Sequence, residues 1–160
     1  MDASYVWIVF ALGAVLSWGA YGPTLHKGQS GFPDKSTAGL RAIICVGLAY
    51  FVVAILVPGF ALWRQGKLSG FTTDGFKWAT VAGALGAAGA ICITYALLNG
   101  GTPALLMPLV FAGAPVVNVL VSSLLQKMDW GKTSPLFFVG MLLAAGGAFM
   151  VLRFKPPISH

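Results

Sequence analysis

Five apolar runs, at about residues 5–22, 40–63, 76–98, 103–125 and 135–152, occupy most of this 160-residue chain. A helix that crosses the hydrocarbon of a bilayer needs about 20 mostly apolar residues, and each run is near that length. Lipid offers the backbone no hydrogen-bond partner, so each run is expected to be helical. Composition argues against a water-soluble core. Hydrophobic residues make up 58% of the chain and charged residues 9%, whereas soluble domains carry about 25% charged residues. So short a chain has too much surface for its volume to fold that apolar area inward. The expected fold class is an all-α integral membrane protein of about five transmembrane helices, a single membrane domain over residues 1–160.

Local signals set the expected ends. Pro23 is read as ending the first helix, which starts at Tyr5, and the polar stretch from Thr24 to Thr37 as the first connection. Asp2 stands where a signal peptide would carry a basic residue, so the first helix is expected to be retained. Asn99-Gly100-Gly101-Thr102-Pro103 reads as a compact turn with proline in the first turn of the next helix, and Ser134-Pro135 repeats that start signal. Trp63, Trp78 and Trp130 fall at run edges, where an amphipathic ring suits the headgroup zone. Rows of small residues, Ala79, Ala82, Gly83, Gly86, Ala87 and Ala90 in the third run and Gly140, Ala144, Gly147 and Ala148 in the fifth, predict close helix packing. Cys45 and Cys92 lie inside apolar runs, match no zinc spacing and are expected to be buried structural thiols.

The formal charge of +6 does not point to nucleic acid, because the cations are scattered between apolar runs without interleaved aromatics. They read as anchors to lipid headgroups and as topology signals. Five spans place Arg64, Lys67, Lys77, Lys127 and Lys132 on one side, and Lys27, Lys35, Arg41, Arg153 and Lys155 on the other. The tie assigns no orientation. It arises either from counting Arg41, close to the membrane edge, or from dual topology, in which copies insert both ways and pair antiparallel. An odd number of spans suits the latter, since inverted repeats are a recurrent transporter plan.

From the third run onward the residues resemble a known family. Thr94-Tyr95-Ala96-Leu97-Leu98-Asn99-Gly100-Gly101-Thr102-Pro103-Ala104 is followed by Pro108, Ala114-Pro115-Val116, Gly140 and Gly146-Gly147, while Ser17-Trp18-Gly19 and Leu40-Arg41 fit the first two helices. Together these resemble the EamA-like repeat of the drug/metabolite transporter superfamily. The resemblance implies a half-size transporter for a small metabolite or drug-like solute. Most members carry two repeats in one chain and this chain carries one. The implied working unit is therefore an antiparallel homodimer or a pair with a second repeat-bearing chain. The stretch Gln126-Lys127-Met128-Asp129 departs from the family, many members of which place an acid just after the fourth helix.

All four acids, Asp2, Asp34, Asp74 and Asp129, lie outside the expected spans, and the chain has no glutamate. A mid-membrane carboxylate, which small multidrug-type exporters use to trade protons for cations, is missing, so facilitated or weakly coupled movement is expected. No Ser-His-Asp set and no phosphate-binding glycine loop after a strand can be placed, so no enzyme, cofactor or metal is expected. Of the two histidines, His160 is terminal, and His26 reads either as a headgroup-level residue or as a proton-relay candidate.

Neutral polar residues remain as substrate-lining candidates: Trp18, Tyr21, Tyr95, Asn118 and Ser122, with Pro115. Pro115 frees the Phe111 carbonyl and is expected to kink its helix, with Asn118 three residues beyond it. Asn118 then either lines a cavity or bonds across helices. Trp18 and Tyr21 either face that cavity or anchor at the interface. The alternative function is a non-transporting accessory subunit of a larger membrane complex. Small size, few charges and short connections fit a bacterial inner membrane.

Overall fold

A computed structural model describes residues 3–126 and 130–154. Asp2, Lys127, Met128, Asp129, Lys155 and His160 lie outside the described residues. No strand occurs among those described. The elements are α1 (Ala3–Gly31), α2 (Ala38–Tyr50), a π-helical segment (Phe51–Leu56), α3 (Val57–Arg64), α4 (Thr73–Leu98), α5 (Pro103–Gln126), a short 3-10 turn (Trp130–Lys132) and α6 (Pro135–Arg153). α2, the π segment and α3 run on as one rod, Ala38–Arg64, so five helices are long and apolar enough to cross a bilayer. Their most apolar stretches are buried to only 6% in four of the five, and Phe10, Leu16, Leu124 and Leu136 are each more than 70% exposed. Surface of that kind has a large free-energy cost in water, at roughly 25 cal/mol per Å².

The chain divides into two compact units, Met1–Gly100 and Gly101–His160. In the first, α1 packs on α2 and α4, and α2 packs on α4. The buried residues gather where α1 ends, α2 begins and α4 ends: Leu25 and Gln29, then Ala38 and Ala42, then Ala90, Ile93, Thr94 and Leu97. Gly39 sits among them. A Cβ on it would run into Leu98 Cδ1 and stand 3.0 Å from Thr94 Cγ2, so only glycine lets α2 come this close to α4. α1 contacts neither the π segment nor α3, so the first two helices are joined near one end and diverge beyond α2.

α1 does not end at Gly22. It continues through Pro23 to Gly31, and the polar residues Thr24–Gly31 are helical. Pro23 removes one helical hydrogen bond. Packing offsets that loss, because Gly22, Leu25 and Gln29 recur at helical spacing and all three are buried. Tertiary contact here overrides the local stop signal. The second rod also departs from expectation, since Phe51–Leu56 is wound as a π-helix just before Pro58. Proline supplies no amide hydrogen to the carbonyl of Ala54 one turn back, and a wider turn absorbs the mismatch. The rod ends in a Schellman arrangement: Gly66, at φ +64, donates to the Trp63 carbonyl at 3.0 Å, and Lys67 N–H donates to that of Leu62 at 3.0 Å.

Other ends follow from caps. Thr72 Oγ1 accepts from Gly75 N–H at 3.2 Å and starts α4 at Thr73, three residues earlier than its apolar run. Asn99 closes α4 by donating through Nδ2 to the Tyr95 carbonyl at 2.8 Å, and Gly100 follows at φ +90. In the second unit α5 pairs with α6, with Met107 and Ala148 buried. α5 runs helically through Pro108 and Pro115. Ser134 Oγ caps α6, accepting from Leu136 N–H at 3.3 Å, with Pro135 in the first turn.

Two packing expectations need correction. Cys45 and Cys92 are exposed free thiols, because their helices turn these positions away from the few buried contacts of the first unit. The glycines of the small-residue rows, Gly83, Gly86, Gly140 and Gly147, have open space where a Cβ would stand. Of those rows only Ala90 and Ala148 are buried.

Candidate functional site

The divergence of α1 from α2 leaves a cavity of about 510 Å³ between them, within the first unit. Its walls are mostly aliphatic, with Ala42, Val46 and Ala49 from α2 opposite Ala20 and Leu25 from α1. Ser17, Tyr21, Thr24 and Tyr50 are the hydroxyl-bearing residues of the lining, and Cys45 carries a thiol. Among the described residues no acid or permanent cation lines it. It is an open groove rather than an enclosed chamber, and its size and mostly apolar lining with a few polar groups are those of a small-molecule site.

Tyr21 is the informative residue. Its hydroxyl oxygen is fully buried and has no hydrogen-bond partner. A buried hydroxyl left unpaired has a free-energy cost of about 1–3 kcal/mol, which a ligand group would recover if the phenol turned to meet it. The Trp18 ring leans on the Tyr21 ring, with centroids 6.0 Å apart at 48°, and so restricts the phenol. Trp18 itself is 45% exposed and stands beside the cavity lining.

The remaining sequence candidates are placed elsewhere. Tyr95 is on α4, largely exposed, and its backbone carbonyl takes the Asn99 cap. Pro115, Asn118 and Ser122 lie on one face of α5 in the second unit, where Asn118 is exposed and makes no cross-helix hydrogen bond among the described residues. Sequence reading missed Thr24 and Gly28 as cavity residues, because both were assigned to a connection after Pro23. The signal for them was the helical recurrence of Gly22, Leu25 and Gln29.

His26 lies on a second, smaller cavity of about 230 Å³, shared with Gln29, Ser30, Lys35, Ala38, Leu97 and Leu98. The nearby connection is held by Asp34, whose carboxylate accepts from Ser36 N–H at 3.0 Å, Ser36 Oγ at 2.7 Å and Thr37 Oγ1 at 2.6 Å. These bonds, that from Thr37 foremost, favour the charged form and lower its pKa to about 2. Among the described residues no three His, Cys, Asp or Glu side chains cluster as metal ligands would. No family model, curated protein or solved structure matches this chain.

Proposed function

We propose that the chain is a half-size membrane transporter of the EamA-like drug/metabolite type. It sits in a bilayer, that of a bacterial inner membrane, and moves a small, largely apolar solute bearing a hydrogen-bonding group. The observation that carries this reading is the cavity between α1 and α2, with the unpartnered Tyr21 hydroxyl set in an apolar wall. The solute occupies that cavity, and Tyr21 with Ser17 and Tyr50 reads its polar group. The one carboxylate in the described spans, Asp74, sits in the first turn of α4 and none lies mid-span, so movement is facilitated rather than strictly proton-coupled.

The equal division of cations favours an antiparallel pair as the working unit. Reconstitution into liposomes, with counterflow of a panel of neutral and monocationic amphipathic solutes, tests transport. Accessibility of tags at both ends tests the pairing. One fixed orientation with no partner chain defeats the antiparallel dimer.

A second reading is favoured by the glycines of α4 and α6 that face open space. There the chain is a non-transporting subunit whose small-residue faces dock on other membrane proteins. Stoichiometric co-purification with unrelated subunits, together with no counterflow, selects it over the first.

A further inference from the structure

The smaller cavity is chemically unlike the larger one. It lies where α1 ends, α2 begins and α4 ends, at the limit of the apolar spans. Its polar lining consists of Lys35, His26, Gln29 and Ser30, with no acid, while Ala38, Leu97 and Leu98 form the apolar side.

Helix ends normally present carbonyl oxygens, which repel anions. Here several of the nearby oxygens are engaged. Ser30 Oγ donates to the His26 carbonyl at 2.9 Å. Lys35 Nζ donates to the carbonyls of Ser30, at 2.6 Å, and Phe32, at 3.0 Å. Gln29 Nε2 donates to that of Thr94 at 3.3 Å. The nearby Asp34 carboxylate is turned to Ser36 and Thr37.

What remains for the cavity is donor capacity. An ammonium has three donors, and two of those on Lys35 are held by the backbone, which fixes the third. The imidazole of His26 and the second amide hydrogen of Gln29, itself only 4% exposed, add to it. Capping of α1 explains Lys35 and the Thr94 bond engages one amide hydrogen of Gln29, but neither accounts for the His26 ring on the same cavity.

The geometry points to a phosphate-binding site formed by Lys35, His26 and Gln29, its ligand either a phospholipid headgroup or a soluble phosphate. Both present the same oxyanion. The headgroup would be met at the depth where the spans end, with the more exposed Leu98 toward the acyl region. This site is separate from the transport cavity and is tested by binding, so it stands or falls whether or not the chain transports.

The test is thermal stabilisation of the purified full chain in uncharged detergent, titrated with inorganic phosphate, dihexanoyl phosphatidylglycerol or dihexanoylglycerol, which lacks phosphate. Stabilisation by phosphate alone identifies a soluble ligand, and stabilisation by the phospholipid only identifies a headgroup. In either case Lys35→Gln and His26→Gln each weaken binding by about tenfold, as loss of one charge-assisted contact would, while Lys35→Arg and the distant Lys67→Gln do not. If Lys35→Gln loosens the end of α1 and cannot be purified, His26→Gln decides, since among the described residues no hydrogen bond uses its ring. Stabilisation by none of the three, equal stabilisation by the phosphate-free lipid, or unchanged binding in His26→Gln overturns the assignment.

Discussion

Gln29 of α1 reaches across to α4, where its side-chain amide donates to the Thr94 carbonyl oxygen at 3.3 Å, and both residues are at least 96% buried. The pair ties the polar end of the first helix to the third rod, and it explains why α1 persists past Pro23. Hydrogen bonds between helices in lipid contribute about 0.6 kcal/mol on average and at most about 1.7. Gln29→Ala removes the bond and leaves a gap. It is expected to destabilise the first unit by about 2 kcal/mol, read as a lower midpoint in thermal or denaturing-detergent unfolding.

Gly39 gives a sharper contrast. Gly39→Val places methyl groups against Leu98 and the fully buried Thr94, and overpacking of this kind costs about 1–3 kcal/mol. Gly86→Val meets nothing in its own unit, so folding stability is expected to shift by less than about 0.5 kcal/mol for steric reasons. Instead it should shift the proposed antiparallel pair toward monomer in cross-linking or sedimentation, if α4 docks a second copy through this face. Equal loss of stability in the two variants would mean that Gly86 is packed within its own unit.

Tyr21→Phe separates binding from folding. It deletes an unpartnered buried hydroxyl, so the fold is expected to be unchanged or stabilised by up to about 1 kcal/mol. Transport is expected to fall roughly tenfold, the effect of one lost hydrogen bond to solute at about 1.4 kcal/mol. Counterflow at wild-type rate in this variant would remove Tyr21 from the proposed site.

Asp34 sets an acid limit on the first connection. Its pKa is lowered from 3.8 to about 2 by the hydroxyls of Thr37 and Ser36 and by the Ser36 amide. A depressed folded-state value means that the carboxylate's stabilising effect is complete above about pH 4 and is lost as pH falls through about 2. Asp34 is fully exposed, so the effect is small and weakened by solvent. The unfolding midpoint of Asp34→Asn is expected to vary less than that of wild type between about pH 4 and about pH 2. Parallel curves for the two proteins would rule the linkage out.

The five helices were legible because lipid sets a length and a polarity that few other environments demand. The starts of α5 and α6 were legible because proline and a capping hydroxyl act locally. The extension of α1 was not, since Pro23 is a local stop and the packing of Gly22, Leu25 and Gln29 that overcomes it is not local. The cavity was legible at Tyr21 but not at Thr24 or Gly28, which the same boundary error removed from the helix. Pro115, Asn118 and Ser122 do share a face of α5, as their spacing implies. Spacing could not show that Asn118 would lack a cross-helix bond among the described residues, because that depends on how α5 is rotated against its neighbour.

The widened turn at Phe51–Leu56 carries a consequence for the rod it interrupts. One additional residue in a turn rotates everything after it by about 100° relative to an unbroken α-helix. The stripe that Ala38, Gly39 and Ala42 present to their neighbours is therefore phase-shifted beyond Leu56, where Phe60 and Trp63 lie with ring centroids 5.7 Å apart. A single-residue deletion within that turn would act as a dial, turning α3 about its own axis while α2 stayed seated. Helices with such a built-in swivel can show one face to the inside of the first unit and another to whatever surrounds it.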